Sequence, residues 1–307
     1  MQIDRLGIHD SVSAVFPPEQ LRDALSGTGP DVGIVDDQSA RECDGVVTFA
    51  HEEEFLDCDW IHSIQAGYDR FPLDELENRG VVLTNSTGIH GDSVGETVAG
   101  YMLMLARRLG QYARQQERTE WDRPAWDVPF TLAGESVCVV GLGTLGRGIA
   151  ERANALGMEV TGVRRSGEPV EGVDRVYASG DLHEAIAGPT FVALATPLTE
   201  ETRGLIGEAE LAAMDEGSHL INVARGGVVD QEALISALDE EGIRGAALDV
   251  FAEEPLPEGS PLWTMEDVLV TPHAAAYTRG YYESIAGLVQ TNLERVGADE
   301  PFENRVV

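Results

Sequence analysis

At 307 residues, 43% of them hydrophobic and 24% charged, with 34 glycines, the chain is long enough for two domains of ordinary size and has the composition of an α/β protein. Its 54 acidic residues against 21 basic ones, all of them arginine, give a formal net charge of −33, which excludes nucleic acid and anionic membrane surfaces as partners. The three cysteines, Cys43, Cys58 and Cys138, are too few and too scattered for a disulfide framework or a metal knuckle, so no metal is expected, and no apolar run approaches the roughly 18 residues of a membrane span.

The N-terminal stretch MQIDRLGIHDSVSAVF lacks the basic start and apolar centre of a signal peptide, so a cytoplasmic protein is expected. Within residues 1 to 90, DGVVTFA, IHSIQAG and GVVLTNS each read as a short buried strand, separated by polar segments of helical pattern. From Gly91, the stretch GDSVGETVAGYMLMLARRLGQYARQQ reads as one long helix with an apolar stripe at Val94, Val98, Met102, Leu105 and Leu109. WDRPAWDVPFTLAGES cannot continue that helix and delivers the chain to the strand SVCVVGLG. Strands and helices alternate throughout, without repeats, which predicts βαβ units around parallel sheets.

After that strand, Gly141, Gly143 and Gly146 form G-x-G-x-x-G at the start of a helix whose apolar face includes Ile149, Ala153 and Leu156. The first glycine allows the tight turn, the second a close approach to pyrophosphate, and the third close helix–strand packing. With the intervening Thr144 and Leu145, the turn offers helix N-terminal N–H groups and the positive end of a helix dipole to phosphates. The next strand, MEVTGV, ends at Arg164, about where an NAD site carries the acidic residue that binds the ribose 2′-OH. Arg164, with Arg165 and Ser166, is suited to a 2′-phosphate instead, so NADP(H) is expected ahead of NAD(H). The competing reading makes these arginines solvent-exposed partners of nearby acids such as Glu168.

Further on come INVARGGVVDQEALISAL, ALDVFAEEPLP and LVTPHAAAYT, in that order. With IQAGYDRFPLDEL and NSTGIHGDSVGETVAGYMLML, they make the chain resemble the D-isomer-specific 2-hydroxyacid dehydrogenase family over nearly its whole length. The resemblance implies two doubly wound parallel-sheet domains, with a Rossmann-type cofactor domain (98–278) inserted into a flavodoxin-like substrate domain (1–97 plus 279–307), and a homodimer built mainly through the cofactor domains. It implies reduction of 2-oxo acids to D-2-hydroxy acids. That chemistry needs a cation for the substrate oxygens, a proton donor, and a hydride on the opposite side.

Carried over residue by residue, Arg225 of A-R-G binds and polarises the substrate with its guanidinium fork. His273 of T-P-H is the general acid, and Glu254, before Pro255, orients its imidazole; Glu253 is the neighbour most easily confused with it. Ala66 and Gly67 present backbone to the substrate carboxylate, with Tyr68, Ala50 and Tyr277 shaping the pocket. Further coenzyme contacts are implied from Thr196, Pro197, Thr202, Val223, Ala224, Asp249, which meets the nicotinamide carboxamide, His273 and Ala275. Ala275 stands where many relatives have glycine. The other six histidines, His51 and His90 among them, fall outside the catalytic pattern.

Some relatives act as cofactor-sensing corepressors on the same fold, a rival reading that the complete Arg, Glu and His set disfavours. The acids are dispersed along the chain rather than gathered in a tail, and lysine is absent, which resembles proteins of halophilic archaea with solvent cations held at the acidic surface.

Overall fold

The computed structural model describes residues 1–307 and divides into two compact units, Met1–Ile89 with Tyr277–Val307, and His90–Ala276. The first break precedes the long helix at Gly91, so the boundary expected at 97/98 lies inside that helix, and the second falls at 276/277 beside the expected 278/279.

The first unit opens with β1 (Arg5–His9), α1 (Pro18–Ala24), β2 (Asp31–Val35), α2 (Asp37–Ala40), β3 (Gly45–Thr48), β4 (Trp60–Ser63), α3 (Leu73–Arg79) and β5 (Val82–Thr84). Its parallel sheet has the order β2-β1-β3-β4-β5, the flavodoxin-like winding. β3, β4 and β5 are the three strands legible in the sequence, and each is buried along its whole length, as suits parallel strands covered on both faces.

The second unit comprises α4 (Gly91–Ala106), α5 (Leu109–Arg118), β6 (Ser136–Val140), α6 (Thr144–Ala155), β7 (Glu159–Arg164), β8 (Arg175–Ala178), α7 (Leu182–Ile186), β9 (Phe191–Leu194), α8 (Glu208–Ala213), β10 (His219–Asn222), α9 (Gln231–Asp239), β11 (Gly245–Leu248) and β12 (Val268–Val270). Its sheet runs β12-β11-β10-β9-β6-β7-β8, all parallel, the doubly wound Rossmann order with its reversal between β6 and β9.

The single helix expected from Gly91 to Gln116 is two. Arg108 adopts a left-handed φ of 57° between α4 and α5, and its guanidinium pairs with Asp267 just ahead of β12. That distant partner outweighs a helical preference of a few tenths of a kcal/mol, roughly, per residue. Val94, Val98, Met102 and Leu105 are buried as expected, but beyond the break Leu109 is exposed. α4 packs on α6 at backbone contact: a Cβ on Gly148 would lie 1.9 Å from the carbonyl oxygen of Gly91.

The chain then returns to the first unit as α10 (Tyr281–Gly297), whose Tyr281, Ile285, Ala286 and Val289 join Leu6, Ile8, Leu21 and Leu25 in one core. The three cysteines are free and buried, and burial pushes the thiols of Cys58 and Cys138 up to about 12, which keeps them protonated and unreactive. No helix is long and apolar enough to cross a membrane.

Candidate active site

The glycine turn follows β6 at the reversal of the strand order. Gly141 has a φ of 98°, and a Cβ there would lie 2.7 Å from the carbonyl oxygen of Ala195, the residue after β9. A Cβ on Gly146 would lie 1.9 Å from the carbonyl oxygen of Gly141, whereas Gly143, at the cap of α6, faces open space. Thr144 and Leu145 begin α6. The turn thus has a side-chain-free approach to unpaired helix N–H groups, and it fits a dinucleotide.

Arg164 is the last residue of β7 and lies 3.9 Å from Glu168, whose carboxylate also accepts from the Ser166 hydroxyl at 3.3 Å. Arg165 is exposed beside them. The Thr196 backbone abuts Gly141. Thr202 donates to the Pro197 carbonyl at 2.6 Å and accepts from Thr199 N, so its hydroxyl braces its own loop.

Arg225 follows β10. Asn222 ties this turn by accepting from Ala224 N at 3.0 Å and donating to the Arg225 carbonyl at 3.1 Å, while Val223 and Ala224 are buried. A Cβ on Gly226 would lie 1.9 Å from the Phe251 carbonyl, so the Arg225 segment meets the chain after β11 backbone to backbone. Phe251 N donates to Glu254 Oε1 at 3.1 Å, and Glu254 Oε2 lies 2.8 Å from His273 Nδ1. The carboxylate that meets the imidazole is that of Glu254, not Glu253. With Nδ1 so engaged, Nε2 is the nitrogen free for proton transfer. The Glu254–His273 pair is therefore built from the segments that follow β11 and β12, while the Arg225 guanidinium donates to the Ala224 carbonyl at 2.8 Å and its segment meets Phe251 through the backbone of Gly226.

His273 itself has a left-handed φ of 53°. Its turn is held by Asp249, which is 2% exposed: the Asp249 carbonyl accepts from His273 N at 2.8 Å, and its carboxylate accepts from Ala274 N and Ala275 N, each at 2.9 Å. Three residues missed in the sequence join this turn. Thr271 donates to Asp249 Oδ1, Tyr101 bonds Thr271, and Thr97 donates to the Ala275 carbonyl at 2.9 Å. Their one local signal is the spacing of Thr97 and Tyr101, hydroxyls one helical turn apart beside an apolar stripe.

His90, outside the catalytic pattern in the sequence, is buried within reach of the Arg225 charge. Burial first, and then the Arg225 charge, pushes its imidazole down to about 4, so it is neutral there. In the first unit, Ala66 and Gly67 are half-buried in the loop after β4, where Asn85 donates to the Ala66 carbonyl at 2.7 Å, and Tyr68 and Tyr277 are exposed. The Ala50 carbonyl accepts from the Thr48 hydroxyl at 2.6 Å.

Residues 99–275 match the family model of the D-isomer specific 2-hydroxyacid dehydrogenase NAD-binding domain. The chain belongs to that family. It is 32% identical over 269 residues, 83% of the chain, to the glyoxylate reductase of Thermococcus kodakarensis, covering 80% of that protein. It is 35% identical over 78% of the chain to the D-3-phosphoglycerate dehydrogenase of Methanocaldococcus jannaschii, but spans only 46% of that relative's length. A D-isomer specific 2-hydroxyacid dehydrogenase from Xanthobacter autotrophicus Py2, solved with NADPH and MES, superposes with a TM-score of 0.83 at 32% identity, covering 99% of this chain and 98% of that one. Membership makes this an NAD(P)-dependent oxidoreductase that interconverts 2-oxo and 2-hydroxy acids.

Proposed function

We propose that the protein reduces small 2-oxo acids to D-2-hydroxy acids with His273 as the proton donor and NADPH preferred over NADH. The observation that carries this reading is the Glu254–His273 pair at 2.8 Å, with the other Glu254 oxygen fixed by Phe251 N. The carboxylate holds the ring orientation, leaving the Nε2 proton to be delivered to the substrate carbonyl oxygen. Arg225 takes the substrate carboxylate and polarises the carbonyl, and the backbone of Ala66 and Gly67 contributes to carboxylate binding with Tyr68, Ala50 and Tyr277 around it. The coenzyme, when bound on the turn of Gly141, Gly143 and Gly146, supplies the hydride.

Arg164, Arg165 and Ser166 at the end of β7 support the NADP(H) preference, as does the NADPH bound in the Xanthobacter relative. Asp249 and Ala275 at the His273 turn, Thr196 and Pro197 beside the glycine turn, and Val223 and Ala224 before Arg225 complete the proposed coenzyme contacts, with Thr202 supporting its loop. The deciding experiment is a panel of 2-oxo acids assayed with both coenzymes in molar potassium chloride. Turnover of none of them, or turnover equal in His273→Asn, would refute the reading.

The proposed assembly is a homodimer. Trp121 and Trp126, 91% and 92% exposed, follow α5, which buries none of its own residues. Arg107, Arg114, Arg118 and Arg123 lie in the same stretch, giving an otherwise repulsive, acidic copy a place to approach. Sedimentation of the Trp121→Ser, Trp126→Ser double variant should report a monomer. The remaining acidic surface is proposed to hold solvent cations, as in a salt-adapted protein.

A further inference from the structure

We infer that Thr271 and Tyr101 are positioning residues for His273, acting through the carboxylate of Asp249. His273 occupies a left-handed backbone conformation, φ 53°, that an L-residue rarely holds unless its surroundings impose it. The imposing group is Asp249. Two successive N–H groups, those of Ala274 and Ala275, close around its carboxylate at 2.9 Å each, as a backbone nest closes around an anion, while the Asp249 carbonyl takes His273 N. The direction in which the imidazole leaves the chain therefore depends on where that carboxylate points.

The carboxylate is aimed by a chain of hydroxyls. Thr271 Oγ lies 2.6 Å from Asp249 Oδ1, and because an ionised carboxylate only accepts, the threonine proton goes there. Tyr101 must then donate to Thr271 Oγ, from which it lies 2.6 Å, and it touches Asp249 Oδ1 at 3.5 Å. Burial pushes the phenol of Tyr101 up, so it stays a donor. Thr97, one turn earlier on α4, holds the far end of the loop through the Ala275 carbonyl. α4 is itself anchored at backbone contact on α6 by Gly91 and Gly148. The relay thus ties the orientation of His273 to a rigid helix, through atoms that need touch neither substrate nor coenzyme.

This inference rests on the proposed role of His273, and the test separates the two. Thr271→Val keeps the shape of the side chain and removes the hydroxyl; Thr271→Ser keeps the hydroxyl; Tyr101→Phe removes the outer donor. Thr271→Val should lower kcat tenfold or more, since an angstrom of misplacement costs up to about 10²-fold, with the 2-oxo acid KM within about twofold of wild type. Thr271→Ser should restore kcat, and Tyr101→Phe should show a smaller loss of the same kind. A Thr271→Val or Tyr101→Phe enzyme with wild-type kcat, or a Thr271→Ser enzyme as impaired as Thr271→Val, overturns the inference. Should Thr271→Val fail to fold, Tyr101→Phe and Thr271→Ser decide it alone. The role of His273 is judged separately by His273→Asn.

Discussion

The imidazole of His273 and the carboxylate of Glu254 meet at 2.8 Å, although 19 residues separate them in the chain. Glu254 is in turn held by Phe251 N, so the pair has one fixed geometry. His273→Asn should lower turnover by about 10² to 10⁴ while coenzyme affinity stays close to wild type, because the phosphates and adenosine are proposed to dock on the glycine turn and at the end of β7 rather than on His273. Glu254→Gln, which keeps the hydrogen bond to Phe251 and loses the charge, should cost less. Stopped-flow rates with fluorescence titration of the coenzyme check both, and turnover of His273→Asn within threefold of wild type would remove the histidine from its role.

Coenzyme choice should follow the charge at the end of β7. Arg164→Asp should shift the kcat/KM ratio toward NADH by tenfold or more, since a charge-assisted hydrogen bond is worth about 1.5 to 3 kcal/mol. Glu168 engages both Arg164 and Ser166, so Glu168→Gln should free them and raise the preference for NADPH. A wild-type enzyme that favours NADH at its working salt contradicts the assignment.

Gly148→Ala should destabilise the second unit, because the new methyl would lie 1.9 Å from the Gly91 carbonyl oxygen and would force α4 and α6 apart. Overpacking of this kind costs about 1 to 3 kcal/mol. Thermal melts measure it, with Gly180→Ala, where nothing lies within 4 Å, as the control. Equal midpoints for the two variants would mean that the helices yield freely.

Acid should unfold the protein by charging buried histidines. Burial pushes His62 down to about 3 and His90 and His219 to about 4, while the unfolded chain takes up these protons near 6.5. A lowered folded value means that the stabilisation is complete above about 6.5 and is lost as pH falls, by about 1.4 kcal/mol per pH unit for each group, until the folded values are reached. The carboxylates with lowered values, Asp36, Glu54 and Glu210, act only below about 4.5, so the interval from 6.5 to 4.5 isolates the histidines. Urea midpoints at constant molar salt should decline across that interval, and a flat profile would mean that the folded protein accommodates the protons.

Stability should rise with salt into the molar range, since a net charge of −33 repels itself until screening shortens its reach to about 3 Å at 1 M. Melts in potassium chloride from low to molar concentration test this. A midpoint that is level or falls with salt would separate the composition from any salt adaptation.

What could be read from the sequence alone is what neighbouring residues impose on one another. The glycine turn at Gly141, the arginines closing β7 and the buried strands β3 to β6 are written in consecutive residues, because a tight turn, a phosphate approach or a two-faced burial constrains its own few positions. The site motifs around Arg225, Glu254 and His273 were legible as a resemblance, each as a local pattern. Contacts between distant segments were not. α10 reads only as amphipathic, and nothing in it names Leu21 and Leu25 as the residues it covers. The stripe of α4 runs on in sequence through Leu109, whereas the pairing of Arg108 with Asp267 ends the helix in space. Thr97, Tyr101 and Thr271 look like ordinary polar residues until Asp249 arrives between them, because a hydrogen bond depends on where its partner is placed, and only the packed sheet and helices place it.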